Sequence, residues 1–171
     1  MKITFTATCL ALLSSLAVAA GADIKALSVD DVQGYLSGKG MGQAKAAELN
    51  GYPGPSHVLS LSTELELTPG QKAQTQALFN DMASRSKRVG QQLVEEERSL
   101  NELFVAKTVT PERLSIAMAR IGQLQGQVRQ AHLEAHIHQH AILTPSQIAK
   151  YQVLRGHGEA SANGPQHHRH P

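Results

Sequence analysis

Residues 128–147 read VRQAHLEAHIHQHAILTPSQ. The stretch closes a long amphipathic pattern, carries four histidines within nine residues (132–140), and runs into Leu143-Thr144-Pro145-Ser146-Gln147. The same arrangement occurs earlier as Leu67-Thr68-Pro69-Gly70-Gln71. In both copies the threonine can accept a hydrogen bond from a first-turn N–H, and proline at the first helical position forfeits no bond. The glutamine three places after the threonine can reach back to the threonine N–H, completing a capping box, with the leading leucine folded on as a staple. Each copy therefore starts a helix.

Working outward, Thr68 to Ala106 holds no proline after Pro69 and reads as one helix of about 60 Å. Its apolar stripe is Leu78, Met82, Val89, Leu93, Leu100 and Leu103 or Phe104, interrupted by Arg85 and Glu96. Lys107 to Val109 is a short link. Thr110-Pro111-Glu112 then opens a second long helix to Ile142, striped by Leu114, Ala117, Ile121, Leu124, Val128, Ala131 and Ala135. So short a link predicts an antiparallel hairpin. Shorter helices flank it: Ser56 to Glu66, with Ser56 as cap and Val58, Leu61 and Leu65 inward, and Thr144 to about Arg155, packing through Ile148, Tyr151, Gln152 and Leu154. Period-2 alternation is absent, so the fold class is all-α.

Lys2, the apolar run 3–20 and small residues at Ala20-Gly21-Ala22 have the layout of a cleaved secretory signal, with Ala17-Val18-Ala19 as a second cleavage option. Residues 1–22 are read as that signal, which predicts export to the periplasm. Cys9, the single cysteine, lies inside it, leaving an exported chain without disulfides or thiolate ligands. Cleavage leaves 171 − 22 = 149 residues and a formal charge of 15 − 14 = +1, a single near-neutral domain that does not suit nucleic acid. Residues 23–55, rich in Gly, Ala and Ser, read as a mobile arm, with about two helical turns over 43–49 and turn chemistry at Tyr52-Pro53-Gly54-Pro55. Met41 in the arm is a packing contact or a soft metal ligand, the former being the commoner role. Residues 156–171 are too polar to pack and carry His167, His168 and His170, a terminus able to gather metal.

On a helical wheel His132, His136 and His140 step away from the hairpin seam at successive turns, while Glu134 and His138 lie on the other flank. His132 with His136 is an i, i+4 pair nearest the seam. Neutral imidazoles so spaced can bind a borderline ion, Zn, Ni, Co or Cu, if a further ligand arrives from another helix or subunit. His57 on the first short helix is one such donor, and Glu134, His138 and His140 complete the candidate set. The same histidines would also suit a solvated helix end, where protonated imidazole favours the C-terminal pole. No organic cofactor is expected. Neither a nucleophile with its base nor a phosphate loop is present, and in His132-Leu133-Glu134-Ala135-His136 the glutamate stands one place late for a zinc hydrolase. Enzymatic activity is not expected.

The two Leu-Thr-Pro-x-Gln sequences, at either end of a long hairpin in an exported all-helical chain, resemble the Spy/CpxP family and the related periplasmic heavy-metal resistance and sensor proteins over about residues 56–155. The resemblance implies an antiparallel homodimer of hairpins, acting as a metal-responsive protein in envelope stress defence. An ATP-independent chaperone that shields unfolded periplasmic proteins is the alternative, and a membrane-bound regulator is a possible partner of the sensor branch. That branch pairs His-x-x-x-His on the first helix with His-x-x-x-Met late in the hairpin. Here the first helix offers only His57, with Leu61 in the second slot, and the later pair is His132 with His136.

Overall fold

The computed structural model describes residues 24–156. Six helices follow in order: α1 (Val29–Ser37), α2 (Lys45–Leu49), α3 (Pro55–Ser60), α4 (Pro69–Val105), α5 (Pro111–Ile142) and α6 (Pro145–Leu154). No strand occurs among the described residues, and α4 and α5 pack along each other as the hairpin. Both expected capping boxes are present. Thr68 and Thr144 each accept from the N–H of the glutamine three places on, and each glutamine bonds back to the threonine N–H.

The two boxes also hold each other. Gln71 Nε2 donates to Gln147 Oε1 at 2.8 Å and Gln147 Nε2 donates to Gln71 Oε1 at 3.0 Å. Their remaining amide protons reach the Ile142 and Leu65 carbonyls at 3.0 and 3.1 Å. The motif is thus more than two helix starts: it clasps the base of the hairpin to α6. Around the clasp, Val58, Leu65, Leu143 and Tyr151 form one buried cluster, with Leu61, Leu67 and Ile148 at its edge.

A second cluster, Leu93, Ile121 and Leu124, seals the middle of the hairpin, joined by Tyr35 from α1. Small and polar residues fill the seam between the clusters. Thr75, Ser86, Gly90 and Gln139 are buried there, and Gln139 donates to Thr75 Oγ1 at 3.2 Å. Arg85 and Glu96, the two breaks in the stripe, flank the seam and pair across it with Glu134 at 2.7 Å and Arg120 at 3.7 Å.

Two expectations change. Residues 23–55, read as an arm, hold α1 and α2, and α1 packs on α4. Ser28 and Asp31 form a capping box for α1, and Gly34, inside the helix, leaves room for the Met41 side chain. Gly38 is the left-handed C-cap of α1, with φ 70°. Gly90 admits Tyr35, since a Cβ there would collide with the Tyr35 carbonyl. The helix expected over 56–66 is α3, shorter and shifted: Gly54 is its N-cap and Pro55 its first residue, in place of Ser56 as cap. It stops at Ser60, and turns follow to Glu66, whose φ of 53° ends the segment before the next capping box. Residues 1–22, read as a signal, and the histidines of the tail, His167, His168 and His170, lie outside the described residues.

Candidate metal site

The bundle brings α2, α3, α5 and α6 together around one carboxylate, Glu48. It is buried, although α2 is only five residues long and has no side-chain cap. Its Oε1 accepts hydrogen bonds from the Tyr151 hydroxyl and, at 3.2 Å, from the Arg155 Nε–H, and lies 3.4 Å from His57 Nδ1. Burial works against the charge on Glu48. The Tyr151 hydroxyl, His57, Arg155 and His136 together outweigh it and hold the carboxyl below its ordinary range. Burial, with the Glu48 charge beside it, pushes the Tyr151 phenol well up. The pair is therefore a neutral phenol donating to a carboxylate.

Glu48 Oε2 is buried and has no hydrogen-bond partner. The nearest polar atom from α5 is His136 Nδ1 at 3.8 Å, but that nitrogen already lies 2.8 Å from the Tyr52 carbonyl. A carbonyl can only accept, so Nδ1 carries a proton, and in the neutral imidazole the lone pair is on Nε2. This is the orientation seen in metal-ligating histidines, whose second nitrogen usually donates to a carbonyl or carboxylate. Gly54 packs against both His136 and Glu48. A Cβ built there would be 2.9 Å from His136 Nε2 and 3.3 Å from Glu48 Oε2. The missing side chain leaves a cradle faced by an imidazole nitrogen and a carboxylate oxygen, donors suited to a borderline divalent ion.

His132, one turn before His136, is buried with its Nε2 3.0 Å from Ser86 Oγ. Burial, with His136 beside it, pushes this imidazole below the usual range, favouring its neutral form. His132, His136, His57 and Glu48 all line one cavity of about 660 Å³. The remaining candidates are elsewhere. Glu134 is tied to Arg85 at 2.7 Å and to Gln130 at 2.6 Å. His138 is exposed, and His140 is exposed with its ring 4.8 Å from that of Tyr52. Among the described residues, no three or more His, Cys, Asp or Glu side chains are grouped so as to hold a metal ion as they stand. A third ligand has to be supplied by movement of a nearby side chain or by water.

A family model described as heavy-metal resistance matches residues 37–150. The chain belongs to the heavy-metal resistance family. That family is Spy/CpxP-like, and its proteins are generally exported to the periplasm. The match reaches back through α2 and the loop before it, a region outside the 56–155 stretch on which the sequence resemblance rests, and so includes Glu48. No curated protein and no solved structure matches the chain. No helix among the described residues is long and apolar enough to cross a membrane. Sequence reasoning passed over Glu48 because its partners lie far along the chain. A glutamate near the end of a short helical stretch, followed at once by turn residues, was the local hint.

Proposed function

We propose that this heavy-metal resistance protein binds a transition metal ion in the cradle formed by His136 Nε2, Glu48 Oε2 and the open side of Gly54, with His57 at the rim. Zinc, nickel, cobalt and copper(II) suit this donor set; the ion adds a positive charge that the orphan carboxylate oxygen can meet. The observation that carries the reading is that buried, unpartnered oxygen, which with His136 Nε2 borders the space a Cβ on Gly54 would fill. Loading also changes what Glu48 offers to Tyr151 and Arg155, both on or at the end of α6. Metal occupancy is thereby coupled to the hydrogen bonds joining α2 to α6, which gives a metal-responsive protein a structural output in the periplasm during envelope stress.

Calorimetric titration with zinc and nickel tests this, in a full-length chain whose tail histidines His167, His168 and His170 are changed to alanine. His136→Ala and Glu48→Gln should each weaken binding by about 10–100-fold or more, since even supporting residues cost that much. Unchanged affinity in both variants would refute the cradle.

A second reading, an ATP-independent chaperone, draws on the exposed apolar side chains at the far end of the hairpin: Phe104, Val105, Ile116 and Met118. Suppression of aggregation that is insensitive to chelator and to His136→Ala would favour it.

A further inference from the structure

The cavity has a second face that the Glu48 cradle leaves unused. Met82 of α4 and Met41 of the loop after α1 line it together with Phe79 and His132. His132 is oriented by Ser86, 3.0 Å from its Nε2 and one turn beyond Met82 on α4. Its other nitrogen, Nδ1, and Cε1 are turned to the loop, each 4.0 Å from the place a Cβ on Gly40 would take. The next residue is Met41, whose backbone is left-handed with φ 44°. That conformation costs a residue with a side chain about 1–2 kcal/mol, whereas glycine adopts it freely. The chain thus keeps a methionine at a strained position with glycine on either side, so the thioether is what the position supplies. Its sulfur sits in a notch on α1 where Gly34 has no Cβ.

Thioether sulfur is a soft ligand that selects soft ions such as Cu(I), whereas carboxylate with imidazole suits harder divalent ions. We infer that this face is a second cation site, for a soft monovalent d10 ion of the Cu(I) class, with the thioethers of Met41 and Met82 and Nδ1 of His132 as its donors. It shares the cavity with the divalent cradle but uses neither Glu48 nor Gly54. The two sites can therefore fail separately.

Silver(I) is a redox-inert probe of this chemistry. In the full-length chain with 13C-methyl methionine, silver(I) should move the Met41 and Met82 methyl resonances and leave that of Met118, exposed on α5, in place. Met82→Leu, a swap of similar volume that a core tolerates, should weaken the Met41 response by at least about tenfold while zinc binding stays as in the parent. Met41 and Met82 signals that shift no more than that of Met118 would overturn the inference. So would a Met41 response unaltered by Met82→Leu, which would leave the methionine as a plug for the Gly34 notch. Neither result touches the divalent cradle, whose failure would be read in the zinc titration.

Discussion

Glu48 shows how one residue can organise a small helical protein. A buried carboxylate is tolerated only when paired or hydrogen-bonded, and Glu48 is served by Tyr151, Arg155 and His57 on one oxygen alone. Tyr151 has no exposed surface and also takes a hydrogen bond from the Gly54 N–H at 3.4 Å. Tyr151→Phe keeps the ring in the core and removes the donor to a charged acceptor. It should lower stability by about 1.5–3 kcal/mol in urea denaturation, and a loss below the error of that experiment would mean that Arg155 alone satisfies the carboxylate. The wheel placed His132 and His136 inward and His140 outward, because helical phase is a local property. Glu48 could not be placed that way, since Tyr151 lies 103 positions further along the chain.

At the scale of elements, the paired Leu-Thr-Pro-x-Gln sequences were legible as helix starts because capping is decided within four residues. That they clasp each other was not legible, for the reciprocal amide bonds join residues 76 positions apart. The clasp predicts coupling. In a double-mutant cycle, Gln71→Ala and Gln147→Ala should show an interaction energy of about 0.5–3 kcal/mol, the range for residues that share a network. Strict additivity would reduce the motif to two independent capping boxes. Glycine misled the reading of residues 23–55 for a related reason. A glycine that ends a helix and one that makes room for a neighbour look alike in sequence: Gly38 ends α1 and lies against α4, whereas Gly34, inside α1, makes room for Met41. The boundary of α3 moved similarly, because Pro55 fixes the first helical position and leaves Ser56 inside the helix.

The whole molecule divides its surface unevenly. One end carries the cavity, the clasp and the Glu48 cluster and exposes Leu49, Tyr52, Ile137, Val153 and Leu154 around them; the other, with no such cluster, exposes Phe104, Val105, Leu114, Ile116 and Met118 around the hairpin turn. Clustered apolar exposure of that kind suits an interface. We expect a dimer at micromolar concentration in sedimentation experiments, with Ile116→Glu shifting it to monomer; a monomeric parent would leave that end for other partners. The central claim, a metal ion held between His136 and Glu48, is tested most directly at Gly54, which contributes no ligand. Its φ of −86° and ψ of 138° are open to alanine, so the backbone gives no reason for Gly54→Ala to unfold α3. The added methyl would stand 2.9 Å from His136 Nε2, in the space assigned to the ion. Calorimetric titration of Gly54→Ala with zinc, in the chain lacking tail histidines, should show affinity reduced by at least about tenfold with helical content retained by circular dichroism. A fully helical Gly54→Ala protein that binds zinc as tightly as its parent would contradict the account.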